Sequence, residues 1–421
     1  MKKPELLLPA GSPEALQTAF LYGADAVYAG LPSLSLRANQ GFTVDTVEQA
    51  IRQAHEKNKK IYLTLNLFSK NEDVDKLAGF ADTVNRLRPD GLIVSDPGVF
   101  MFMKEHAPQT PLHVSTQANV GSALTVKFWQ SLGAKVCVLS RETSFDEIRE
   151  IKRQAPDMKI EMFVHGAMCM SYSGRCLLSA FMTGRSANRG KCAHACRWKY
   201  KLYLEEEQRP GEFLPVEEDN RGTYIMNSKD LCLMPKLDLI LNAGIDLLKI
   251  EGRNKTPYYV AQTARAYRKA IDDWFDNPGK WRSEERFEPY QAELDTLQNR
   301  GYTTGFFDGV PGGSAQNYET VQSLSDWRNA GVIAQWTDEG AEVIIYQKIE
   351  QGDTLSFLPP SSFSPVDAVV SKVIDGFSKK EVSALSPGRV GQSIFVPRSF
   401  FGTYGPAELP VFTVARAKAK R

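Results

Sequence analysis

Along the first 165 residues, short continuous apolar runs alternate with longer stretches in which apolar positions recur every three or four residues. The runs at 5–9, 26–30, 61–66, 91–95, 112–117, 135–140 and 160–165 are rich in Val, Ile and Leu. Runs of that length and composition suit parallel strands covered on both faces. Between them, 12–22, 44–57, 74–87, 122–132 and 145–154 read as helices, the first with Ser12 placed to cap it and Pro13 in its first turn. A further helical stretch at 231–242 ends before Gly244 and leads into an eighth run at 245–250. Eight such strands predict a (β/α)8 TIM-like barrel of the α/β class. An open doubly wound sheet is the competing arrangement, but no G-x-G-x-x-G follows an early strand.

The pattern then changes twice. A strong amphipathic helix at 258–274 puts Val260, Ala264, Tyr267 and Ile271 on one face, after which 276–325 begins polar and reads as a connector. From 326 the runs are short and separated by Gly, Pro and Asp, at 331–335, 342–347, 354–358, 368–374, 393–396 and 411–414. That predicts a small C-terminal all-β barrel domain. The expected organisation is therefore 1–275 barrel with a cysteine-rich segment at 166–200, 276–325 connector, and 326–421 β module. The acidic stretch 205–222 reads as an exposed hairpin or loop, and the basic end 415–421 as a solvated tail.

The chain has 421 residues and a net charge of +1, so no global charge announces a nucleic-acid partner. Locally the balance differs: 175–201 carries seven Lys or Arg and no Asp or Glu. Such a stretch either compensates nearby negative charge or contacts phosphates. The N-terminus has two lysines and only a three-leucine run before Pro9, which fits neither a signal peptide nor a membrane span, so a cytoplasmic location with no membrane partner is expected.

The chemistry concentrates in 161–200. Four of six cysteines fall there as Cys169-x6-Cys176-x15-Cys192-x3-Cys196, among Gly166, Gly174, Gly184 and Gly190. In a reducing compartment such clustering points to metal or cluster ligation rather than disulfides. Zinc and iron–sulfur both accept four cysteines, and the lack of C-x2-C knuckles leans toward iron–sulfur. Cys232 is a reserve ligand, whereas Cys137, inside an apolar run, reads as a core thiol. A TIM barrel works at the carboxyl ends of its strands. The polar residues ending the runs are Asn66, Asp96, Gln117 with Asn119, Arg141 with Glu142, His165, and Glu251 with Arg253. Of these, Asn66, Gln117, Arg141, His165, Glu251 and Arg253 are expected to line one pocket, with the arginines pairing carboxylate or phosphate and His165 moving a proton. Tyr172, Trp198 and Tyr200 could stack bases or merely pack around the cysteines. There is no H-E-x-x-H and no G-x-S-x-G, so a hydrolase would depend on a Cys169–His165 pair.

Glu161, Phe163, Gly166-Ala167-Met168-Cys169, Gly174, Cys176, Leu178 and Ser179 resemble the signature of the collagenase-like U-32 peptidase family. The likeness continues through Asn188–Tyr200, Asn227–Cys232 and Lys249–Arg253. Within that family the chain resembles the branch that hydroxylates tRNA. The resemblance implies prephenate-linked 5-hydroxylation of the wobble uridine, a 4Fe-4S cluster on Cys169, Cys176, Cys192 and Cys196, the tRNA anticodon loop as partner, and an electron-transfer partner. It also implies the alternatives found among relatives, namely peptidase action or hydroxylation of ribosomal RNA or a ubiquinone precursor; apart from the resemblance, the sequence is equally compatible with a non-catalytic cluster-bearing RNA-binding component.

Overall fold

Leu6, Leu7 and Leu8 are all fully buried, and in the computed structural model this is because their strand is covered on both faces. The structure describes residues 1–30, 42–66, 69–169, 171–198, 203–205, 211, 213–215, 228–282, 284–311, 315, 317, 325–388 and 390–419. The strands are β1 (Glu5–Pro9), β2 (Ala26–Gly30), β3 (Lys60–Leu65), β4 (Gly91–Val94), β5 (Leu112–Val114), β6 (Val136–Val138), β7 (Lys159–Ala167) and β8 (Leu247–Ile250). Each pairs in parallel with the next, and β8 pairs with both β7 and β1, which closes the barrel. Leu7, Tyr28, Tyr62, Ile93, Val136 and Leu247 pack together as one layer of its filling, while the alternate residues join the helices in a larger outer core. This is the expected TIM-like barrel.

The helices form where capping and periodicity agree. Ser12 accepts from the Ala15 amide at the start of Pro13–Leu21, and Ser144 and Glu147 make a reciprocal capping box at Phe145–Gln154. Three differences from the sequence pattern matter. The stretch at 74–87 is two helices, Asn71–Val74 and Leu77–Leu87. A helix at Pro97–His106 was hidden because its Val-Phe-Met-Phe-Met run has no clear period. The segment 231–242 begins as a strand, Asp230–Cys232, paired antiparallel to the end of β7, and turns helical only at Leu237. Among the described residues, no helix is long and apolar enough to cross a membrane.

The connector contains the helix Glu288–Asp295 and the strand Tyr302–Thr303, which extends the sheet beyond Asp230–Cys232. The C-terminal module is an eight-stranded antiparallel sheet forming a half-barrel, as the all-β pattern predicted. The expected strand at 368–374 is two, Val366–Val369 and Val373–Asp375, and they lie far apart in the sheet order. The basic end is no solvated tail: Val414–Lys418 is a buried strand between Thr354–Phe357 and Trp327–Trp336, and Trp327 covers the Arg416 guanidinium at 4.3 Å. Tyr203–Glu205 and Phe213–Pro215 pair as the two arms of a hairpin, so the expectation for 205–222 holds for its backbone there; most of that segment lies outside the described residues.

Candidate active site

A cavity of about 1270 Å³ opens at the carboxyl ends of the barrel strands. Asn66, Gln117, Arg141, Glu251 and Arg253 all line it, as do the four clustered cysteines. Its wall is completed by Asp326 and Arg328 at the start of the C-terminal module, which sequence reasoning had not connected with the barrel mouth.

The floor was not anticipated. Lys249 on β8 reaches Glu161 on β7 at 2.6 Å, both side chains being buried. Lys249 also lies 4.5 Å from the centre of the Tyr28 ring and 5.4 Å from that of Phe163. The Arg141 guanidinium lies over the Phe163 ring at 4.0 Å from its centre, and its buried Nε has no hydrogen-bond partner. Arg253 donates to Thr64 Oγ1 at 2.8 Å. Burial pushes the Glu161 carboxyl up against the pull of Lys249; it pushes the Lys249 ammonium down against the pull of Glu161, helped by the charges of Arg253 and Arg141. Both shifts favour a neutral pair. Below it, His113 Nδ1 stands 4.0 Å from Glu161, and burial lowers that imidazole to about 3. Lys249, Tyr28 and Thr64 lie within the apolar runs rather than after them, so a rule that reads run endings passes over them.

The cysteine segment is seated by two close backbone approaches. Gly174 has φ +73°, and a Cβ there would stand 2.3 Å from the Gln117 carbonyl oxygen; Gly166 has φ +119°, with a Cβ 2.7 Å from the Glu251 carbonyl oxygen. Side chains finish the arrangement. Asn188 brackets Cys176, accepting from its amide at 3.3 Å and donating to its carbonyl at 2.9 Å. Ser179 accepts from the Ala193 amide and donates to the Arg185 carbonyl. Arg189, one of the seven cations, is committed to Asp73 and Glu72.

All four thiols line the cavity from this segment. Burial raises Cys196, Arg197 opposes, and the other three cysteines each add a repulsive contribution; burial likewise raises Cys169, against Arg141 and Arg197. Among the described residues, no three His, Cys, Asp or Glu side chains are drawn close enough to hold a single metal ion. The donor set nevertheless suits a cluster: four thiols on one cavity wall, close enough to sense one another's charge, with guanidinium groups beside them. Cys232, the reserve ligand, is not with them; it is buried behind β7, donating to Gln291 at 3.4 Å, its thiol pushed up to about 12 by burial. Cys137 is fully buried in β6, as a core thiol should be.

His165 also departs from expectation. It lies outside the cavity, 1% exposed, ringed by Tyr259, Tyr267 and Tyr302 at 5.4–5.9 Å. The register between β7 and β8 shifts at Lys249/Ile250, so the inward alternation that carries Glu161 and Phe163 fails one step later. Burial lowers its pKa to about 3, so it is a neutral packing group rather than a proton carrier at neutral pH. Asp96 caps Pro97–His106, Asn119 takes a left-handed turn, and Glu142 accepts from the Ser173 amide at 3.0 Å. Tyr172 and Trp198 are exposed rather than packed, whereas Tyr200 lies outside the described residues.

The family described as "Peptidase family U32" matches residues 11–317. The chain is 41% identical over 406 residues to "tRNA hydroxylation protein P" of Escherichia coli (strain K12), covering 86% of this chain and 87% of that one. It is 38% identical over 432 residues to the protein of that name from Haemophilus influenzae (strain ATCC 51907 / DSM 11121 / KW20 / Rd), covering 92% of each. It is 31% identical over 360 residues to the "23S rRNA 5-hydroxycytidine C2501 synthase" of Escherichia coli (strain K12), covering 84% of this chain and 52% of that one. A signature whose glycines seat the cysteine segment on the barrel mouth, and a profile match spanning most of the chain, have one reading: this chain belongs to peptidase family U32.

Proposed function

We propose that the chain is an RNA-base hydroxylase that installs a hydroxyl on carbon 5 of the wobble uridine of tRNA. The observation that carries this reading is a single cavity joining four cysteines to a cation-bearing aromatic floor, in a chain similar over most of its length to tRNA hydroxylation proteins. A single-stranded anticodon loop can splay a base into such a pocket. Exposed Tyr172 and Trp198 offer stacking faces, and exposed Arg175, Arg185 and Lys191 offer phosphate partners. Cys169, Cys176, Cys192 and Cys196 would hold a 4Fe-4S cluster, which when bound supplies electron relay. Hydroxylating an unactivated ring carbon requires an electron or oxygen donor, so an electron-transfer partner belongs to this reading. A prephenate-derived metabolite would find guanidinium partners for its carboxylates in Arg141 and Arg253. A cytoplasmic location accords with reduced thiols and an RNA substrate.

Peptidase action is the weaker reading, because Cys169 lines the cavity and His165 does not, so the expected Cys169–His165 pair is not formed. Mass spectrometry of tRNA and ribosomal RNA nucleosides from a deletion strain tests the proposal. Loss of 5-hydroxyuridine derivatives from tRNA is expected; unchanged tRNA with a lost ribosomal hydroxycytidine would overturn the tRNA assignment. Anaerobically purified protein should carry about four irons per chain. Cys196→Ala should lose them and Cys232→Ala should keep them.

A further inference from the structure

We propose that Lys249 is a carbonyl-condensing amine, forming an imine with a small 2-oxo acid on the cavity floor while Glu161 moves the proton and Arg141 and Arg253 hold the carboxylate. The inference starts from placement. Lys249 is almost wholly buried by protein yet lines the cavity, between the faces of Tyr28 and Phe163. Arg141 shares the Phe163 ring with it and Arg253 shares the Tyr28 ring. A planar molecule lying between those rings would present one end to the amine and another to a guanidinium fork. Arg141, which lines the cavity, retains a buried Nε donor with no partner in the protein, whereas Glu161 spends Oε1 on Lys249 and turns Oε2 toward His113. An unsatisfied buried donor beside a cavity-lining lysine marks a ligand site better than a packing site.

The Glu161–Lys249 pair supplies what condensation needs. A protonated amine is not a nucleophile, and an exposed lysine is almost fully protonated at neutral pH. Here burial works on both partners toward the free amine and the carboxylic acid, and two nearby guanidinium groups work on Lys249 in the same direction. The lone pair on Nζ adds to the carbonyl carbon as the carbon–oxygen π pair moves to oxygen, and one Nζ proton transfers to that oxygen to give the carbinolamine. The carbinolamine hydroxyl then takes the Glu161 proton and leaves as water. Lys249 becomes an iminium and Glu161 a carboxylate, so the ion pair is restored with the substrate attached. An iminium next to a carboxylate is an electron sink that favours bond cleavage or proton loss at the neighbouring carbons.

The step requires neither RNA nor a cluster, so it stands or falls separately from the proposed hydroxylation. Full-length protein is incubated at neutral pH with pyruvate or phenylpyruvate and cyanoborohydride, and the reduced adduct is located by peptide mass mapping. One adduct per chain on Lys249 is expected, and none on folded Lys249→Arg. Glu161→Gln keeps the amine but loses the proton donor, and should slow trapping about a hundredfold. Arg141→Met should raise the half-saturating concentration of oxo acid about tenfold with little change in the maximal rate. An adduct absent from Lys249 in the wild-type protein, or spread equally over exposed lysines, overturns the proposal whether or not the variants fold. Equal labelling by acetone overturns the carboxylate clamp.

Discussion

At the scale of single residues, His165 gives a measurable consequence of being neutral. Its ring is enclosed by three tyrosines, and its pKa is lowered from 6.5 to about 3 by burial. Below pH 6.5 the unfolded chain therefore binds a proton that the folded chain refuses, and stability falls as pH falls, levelling only near pH 3. The slope attributable to one such group is at most about 1.4 kcal/mol per pH unit. His165→Phe retains the aromatic packing and removes the proton site, so its Tm should fall less steeply between pH 6 and 4 than that of the wild type. Parallel curves would mean that the imidazole titrates in the folded state. The same residue marks how far the sequence could be read. Of the polar residues after apolar runs, Asn66, Gln117, Arg141, Glu251 and Arg253 line one cavity, because strand ends converge on one mouth. At His165 a register shift breaks the alternation, and Lys249 lies inside an apolar run rather than at its end, so neither position follows from run endings.

At the scale of elements, the cysteine segment depends on backbone contact with the barrel. Gly174→Ala would combine a positive φ with a Cβ 2.3 Å from the Gln117 carbonyl, a clash between backbones that no side-chain rotation relieves. Gly184 has a similar φ, +68°, but its Cβ would meet nothing within 4 Å. Gly184→Ala should therefore cost only about 1 kcal/mol of conformational strain, whereas Gly174→Ala should displace the segment. The measurement is iron content and protease sensitivity of 166–198 with far-ultraviolet circular dichroism as the check on the barrel. Equal effects from the two variants would mean that strain, not seating, governs the segment. Elements with a sharp period were legible, as Phe145–Gln154 illustrates. Asp230–Cys232 was not, because three residues hydrogen-bonded to a distant strand carry no local period. The strand Val414–Lys418 was obscured by its charges, since a buried arginine under a tryptophan reads locally like a solvated one.

At the scale of the whole molecule, the C-terminal module keeps a core of its own but is joined to the barrel's core by a few residues. Val332, Leu358 and Val414 of the module belong to the same buried cluster as the barrel helices, and Arg265 of the helix Pro257–Asp276 donates to the carbonyls of Pro359 and Ser362. The fastening is concentrated at Tyr22, fully enclosed at the end of the first barrel helix. Its hydroxyl donates to the Leu358 carbonyl at 2.5 Å and accepts from the Val414 amide at 3.1 Å. Tyr22→Phe preserves the ring and strands two buried backbone groups, each costing about 1–3 kcal/mol. That is large against the roughly 5–15 kcal/mol by which a typical protein is stable. Val414 begins the strand that pairs with Trp327–Trp336, whose Arg328 lies in the cavity wall, so loosening this junction should reach the active site from a residue that never touches it. Calorimetry of the wild type should give one cooperative transition, because neither unit can open without exposing the other's apolar surface. Tyr22→Phe should lower that transition by several degrees or split it, with the module melting first, and should raise KM for RNA more than it lowers kcat, since the barrel floor stays intact. An unchanged single transition would show that apolar packing alone joins the two units.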